Sequence, residues 1–101
     1  MPEFVYVLSY YGWSVSPTDS QVRMFVQSHR DIETWYYPFV GTFIFKSRRK
    51  LVDLAVEFRQ FFGGSPCLLT YASPSLMGGS LPQEVWDWIN NAPTPTLDGP
   101  K

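Results

Sequence analysis

The groups in this sequence with chemistry to offer are a lone histidine, a lone cysteine, two acidic residues two positions apart and a short basic run. His29 could move a proton or hold a metal, but either role needs carboxylate, thiol or hydroxyl partners. Only Arg30, Asp31 and Glu33 stand near it in sequence, so a helix-terminal histidine favoured by the helix dipole is the simpler expectation. Cys67 opens an apolar segment after Ser65-Pro66, and with no base assigned to it, it reads as a small buried hydrophobe. Asp31 and Glu33 would share one face of a strand. Nothing nearby supplies a third ligand, and a solvated charged loop is expected there. Gly63-Gly64 and Gly78-Gly79 are not followed by Gly-Lys-Ser/Thr and read as turns rather than a phosphate loop. No catalytic residue, metal ligand or cofactor is therefore expected.

One charged feature stands above background. Lys46, Arg48, Arg49 and Lys50 place four of the eight basic residues within five positions. Three of them fall where a helix is expected to begin, and a cation in the first turn costs about 0.3 to 1 kcal/mol against the helix dipole. A sequence that accepts this cost is expected to meet an anion there, either phosphate or an acidic protein surface, with Tyr36, Tyr37 or Trp13 available for stacking. The competing reading is a solvated helix end neutralised by Asp53 and Glu57. Reversing Arg48 and Arg49 to glutamate is expected to leave folding nearly unchanged, because exposed surface substitutions usually shift stability by no more than about 0.5 kcal/mol. The net charge of −1 gives no global attraction to nucleic acid or membrane, so any such contact must be local.

The elements that position these groups follow from apolar patterning. Phe4 to Tyr10 is aromatic and β-branched on both faces, the pattern of a central strand. Ser16-Pro17-Thr18-Asp19 reads as a helix start, with Ser16 as cap and Asp19 completing a capping box. Val22, Phe25, Val26 and His29 recur at helical spacing up to about Arg30. Glu33 to Lys46 forms a hairpin, in which Pro38 cannot donate to a ladder and sends the first strand to an edge. Ser47 is expected to cap a helix from about Arg48 to Phe62, with Leu51, Leu54, Ala55, Phe58 and Phe62 on its inner face and Gly63-Gly64 at its end. Cys67 to Ala72 is the last strand, and Leu81 to Ile89 a short helix presenting Val85, Trp86 and Ile89. Residues 1–91 then make one domain, and 92–101, with three prolines, a disordered tail.

This β-α-β-β-α-β order, about 100 residues long, predicts a ferredoxin-like α+β fold with both helices on one face of a four-stranded antiparallel sheet. Phe4, Tyr6 and Leu8 oppose Val5 and Val7 in the first strand, and Phe43 and Phe45 oppose Ile44 in the third, so both sheet faces are apolar. Monomers rarely leave such a face open. The covers weighed are the Trp86/Trp88 helix, a second copy of the chain, or another protein. A symmetric homodimer with Phe4, Tyr6, Phe43 and Phe45 at its interface is the expectation.

The chain also resembles a known family. Trp35-Tyr36-Tyr37-Pro38-Phe39-Val40-Gly41-Thr42-Phe43-Ile44 is similar to the aromatic block of the CRISPR-associated small nuclease superfamily, in its SinR-like branch. The order of elements around that block matches over most of residues 4–89, including the late Leu81-Pro82 and the closing helix to Trp88. The resemblance implies a ferredoxin-like dimer. Active members end their first strand with a metal-binding aspartate, but here the segment reads Val7-Leu8-Ser9-Tyr10-Tyr11, and Ser9 cannot replace an anionic ligand. Tyr37 stands where many relatives have histidine.

The leading expectation is a non-catalytic, cytoplasmic homodimeric module that binds a protein or nucleic acid through the basic run, in a CRISPR or other phage-defence setting, with no membrane partner. The alternatives are a metal-dependent endoribonuclease that draws a carboxylate from Asp31 or Glu33, and a viral or mobile-element inhibitor of a host defence complex.

Overall fold

The computed structural model describes residues 3–73 and 77–91; the expected tail 92–101 lies outside the described residues. The elements are β1 (Phe4–Tyr10), α1 (Asp19–Ser28), β2 (Ile32–Phe39), β3 (Thr42–Ser47), α2 (Leu51–Phe62), β4 (Cys67–Ala72) and α3 (Gln83–Asn90). The sheet order is β2-β3-β1-β4, with every neighbouring pair antiparallel. This is the ferredoxin-like α+β arrangement expected from the sequence, with β1 and β3 internal and the proline-bearing β2 at an edge.

The two faces of the sheet are covered differently. Phe4, Tyr6, Leu8, Tyr10, Phe43 and Phe45 meet Val22, Val26, Leu54, Phe58 and Phe62 of α1 and α2 in the main core. Burial of each such side chain contributes about 1.5 to 3 kcal/mol. Phe4, Tyr6, Phe43 and Phe45 are thus inside the single chain and offer no surface to a second copy. On the opposite face Val85 and Ile89 of α3 pack on Val5, Ile44 and Ala72. The terminal helix is the cover, as one of the three options had it, but it reaches only the half of that face nearest the start of β1. Leu68, opposite Ser9 near the other end, stays 65% exposed.

The starts of α1 and α2 differ from the sequence expectation. Thr18 caps α1 in place of Ser16: its Oγ1 accepts from the Gln21 N–H, and the Gln21 side chain accepts from the Thr18 N–H. Asp19 is thereby freed for another use. Ser47 does not cap α2, because its Oγ accepts the Arg49 N–H two residues on, and the buried Tyr6 hydroxyl donates to the Arg49 carbonyl. Held at both polar groups, Arg49 stays out of the helix, and α2 begins at Leu51 behind an extended Lys50. Among the described residues no helix is long and apolar enough to cross a membrane.

Candidate functional site

The strand order carries the chemistry-bearing residues to opposite ends of the sheet. Where β1 begins, β2 begins and β3 ends, the charged groups collect. His29 sits at the C-cap of α1, and Asp31 and Glu33 lie just before and inside β2. Residues 46–50 close β3, and Glu57 reaches across from the second turn of α2. The His29 Nε2–H donates to the Glu57 carboxylate at 2.7 Å, while its Nδ1 accepts the Asp31 backbone N–H at 3.1 Å. The Arg49 guanidinium donates to Asp31 and lies 3.7 Å from Glu57. Arg48 pairs with Glu33 at 3.4 Å.

This geometry answers the question of a metal. Among the described residues, His29, Asp31 and Glu57 bring three potential ligand atoms within 4.8 Å of one another. A ligating imidazole must offer a lone pair to the ion and normally donates its other N–H to an acceptor. Here the roles are reversed: Nδ1 faces a backbone donor, so the proton resides on Nε2, the atom a metal would need. The Arg49 guanidinium already supplies positive charge between the two carboxylates. The cluster is a closed electrostatic clasp that ties α1, β2 and α2 to the β3–α2 connection. Sequence spacing concealed it because Glu57 is 28 positions from His29.

The basic run does not form one face. Lys46 turns beneath α3, 5% exposed, with its ammonium 5.0 Å from the Trp88 ring. Desolvation lowers its pKa, partly opposed by the charge of Glu3. Arg49 is committed to the clasp, Arg48 to Glu33 and Lys46 to the Trp88 ring, which leaves Lys50 as the member with neither an acidic nor an aromatic partner among the described residues. Neutralisation comes from Asp31, Glu33 and Glu57; of the expected pair, Glu57 takes part and Asp53 does not. Beside them Glu3 is held above the ordinary carboxyl range, first by a hydrogen bond to Glu33, then by burial and by that neighbour's charge.

A second polar cluster was not foreseen. Asp19, at the first position of α1, accepts from the Tyr10 hydroxyl at 2.5 Å and the Tyr37 hydroxyl at 2.7 Å. Arg23 lies 5.1 Å from the Tyr37 ring. Burial and the Asp19 carboxylate raise the pKa of both phenols. Asp19 is therefore a carboxylate close to the end of β1, but both its oxygens serve to fasten α1 to the sheet.

Among the described residues, the opposite end of the sheet carries no such ion pairing. Tyr11, Trp13 and Val15, which follow β1, are exposed, with Trp13 at 73%. Phe39 and Val40 at the β2–β3 turn are exposed too. The two segments touch: the Tyr10 N–H donates to Gly41 at 2.9 Å, and Gly12 lies so close to the turn that a Cβ there would fall 2.3 Å from Val40 Cγ1. The Trp13 loop also meets residues 64–66, through Ser65 Oγ on Ser14 Oγ at 3.1 Å. Aromatic and aliphatic side chains from two loops thus share one end of the molecule. Comparison of the chain with protein-family models, curated proteins and solved structures finds no match.

Proposed function

We propose that this chain is a non-catalytic interaction module that binds another protein through the apolar end formed by Tyr11, Trp13, Val15, Phe39 and Val40. The observation that carries the reading is the grouping of exposed aromatic and branched side chains there, on a scaffold whose charges are largely satisfied internally. Exposed apolar groups in one place mark protein contacts more than chance exposure, and buried aromatic anchors dominate such contacts when a partner closes over them. The surface suits a protein better than nucleic acid, because stacking platforms for single strands work beside basic side chains that follow the phosphates. The run at residues 46–50 is at the far end and mostly paired, so Arg48 and Lys50 are left as secondary contacts.

The resemblance to CRISPR-associated small nucleases supplies a phage-defence setting for such a module. Ser9 and Tyr10 at the end of β1 favour binding over cleavage. The test is affinity capture of partners with the purified chain: Trp13→Ala with Phe39→Ala should lose a specific protein partner that Arg48→Glu with Lys50→Glu retains. The reverse pattern, or a partner released by nuclease treatment, would return the function to the basic run. Incubation with Mg2+ or Mn2+ should leave single-stranded RNA and double-stranded DNA intact, and cleavage abolished by Asp31→Ala or Glu33→Ala would establish the endoribonuclease alternative.

A further inference from the structure

The two edges of the sheet are treated differently. The β2 edge carries Pro38, Glu33 and two breaks in its register with β3, the devices by which natural sheets discourage pairing with another chain. The β4 edge has none of them: Cys67-Leu68-Leu69-Thr70-Tyr71-Ala72 is uncharged, free of proline and in unbroken register with β1, and no other described strand pairs with its outer side.

The surroundings of that edge are apolar above and below it. Glu57 and Phe61 turn one flank of α2 towards α1, through His29 and Phe25. The opposite flank, at positions 52, 55, 56 and 59 by helical spacing, runs beside β4. Leu51 meets the Tyr71 hydroxyl at one end of α2, and Arg59 acts on Cys67 at the other. Val52 and Val56 on this flank are 65% and 40% exposed, and Leu68 lies exposed on the other side of the strand.

We infer that the occupant of this edge is a second copy of the chain, with β4 pairing antiparallel to β4 of the partner about a two-fold axis near Leu69. The strip is complementary in charge to a copy of itself, with Asp53 in the first turn of α2 and Arg59 in its last. Because α2 runs alongside β4 in the opposite direction, the same axis brings the two α2 flanks together antiparallel, with the small Ala55 near the centre, where the helices must approach closely. Arg59 of each copy then lies beside the other's Val52 and the acidic first turn that carries Asp53. The two like-charged arginines are kept at opposite ends. Two four-stranded sheets become one of eight strands, and both apolar ends remain open. The inference keeps the homodimer expected from the sequence, moves it away from the buried Phe4, Tyr6, Phe43 and Phe45, and does not depend on the binding role of Trp13.

Sedimentation equilibrium of the full chain should give twice its 11.7 kDa mass. Val56→Arg and Leu68→Lys, both at exposed positions, should each weaken self-association at least about tenfold while leaving the circular dichroism spectrum unchanged. Hydrogen exchange supplies an independent readout. In the dimer all the amides of residues 67–72 should be protected, whereas a free edge leaves alternate ones open to solvent. A monomer at about 50 μM, well above a micromolar dissociation constant, would overturn the inference. So would a dimer that survives both substitutions with alternate amides of β4 unprotected. A dimer dissolved instead by Trp13→Ala would place self-association at the apolar end, contradicting this inference and leaving that end as the contact surface.

Discussion

At the end of the sheet where β1 starts, Arg48, Arg49 and His29 each face an acidic partner; at the end where β1 finishes, Tyr11, Trp13, Val15, Phe39 and Val40 face solvent. The charged end has the residue types usually associated with function and spends them on holding four elements together. The apolar end has residue types usually associated with a core and leaves them outside. Residue type alone is thus a poor guide to role. A charge whose partners are complete has little left to offer a ligand, while an exposed tryptophan retains its full contact area for a partner.

The largest effect should come from opening the clasp. Arg49→Glu removes the cation between Asp31 and Glu57 and adds a third carboxylate. Breaking a fully buried pair costs about 3 to 5 kcal/mol, and because these side chains are partly solvated the expected loss is about 2 to 3 kcal/mol, read as a lower urea midpoint. This departs from the sequence expectation that reversing the arginines is silent for folding, which holds only for an exposed run. Arg48→Glu, at the more exposed of the two ion pairs, should cost less than about 1 kcal/mol.

The next effect is at the joint of the apolar end. Gly41 has φ 89°, and a Cβ on it would meet the Tyr10 carbonyl oxygen at 2.8 Å. Gly41→Ala should therefore destabilise by about 1 to 3 kcal/mol in thermal or urea unfolding. It should also disturb partner binding, since the turn carries Phe39 and Val40. Trp13→Ala separates the two readouts: stability should shift by no more than about 0.5 kcal/mol, while partner binding is lost.

These contrasts also mark what the sequence made legible. Periodicity and punctuation located the seven elements of the described residues, and Pro38 correctly sent β2 to an edge, because those signals are local. The two-sided apolar pattern of β1 and β3 correctly required a cover on each face. It could not say what covers each face, because the twelve-residue α2 and the short α3 decide that by where they come to rest. The clasp and the Asp19 cluster were hidden for the same reason: His29–Glu57, Arg49–Asp31 and Tyr37–Asp19 join residues 18 to 28 positions apart. The charge density at 46–50 was visible, but its neutralisation depends on partners that arrive from other elements.

The smallest expected effect sharpens the picture of the charged end as structural. The Glu3 carboxyl is held above its ordinary value of 4.5 in the folded chain, chiefly by its hydrogen bond to Glu33. The folded state therefore keeps that proton more firmly than the unfolded state does. The resulting stabilisation is complete below the ordinary value and is lost as pH rises through the raised one. Glu3→Gln should flatten the part of the stability profile just above the ordinary carboxyl range, measured by urea unfolding at a series of pH values, and should leave partner binding unchanged.

The central claim, that the apolar end and not the charged end is the contact surface, is tested most directly by site-specific photo-crosslinking in extracts of the source cell. A benzophenone amino acid placed at Trp13 should give a discrete protein adduct heavier than a dimer of the chain, and the same group at Arg48 should give none. An adduct formed from Arg48 and absent from Trp13 would contradict the account and make the charged end the binding site.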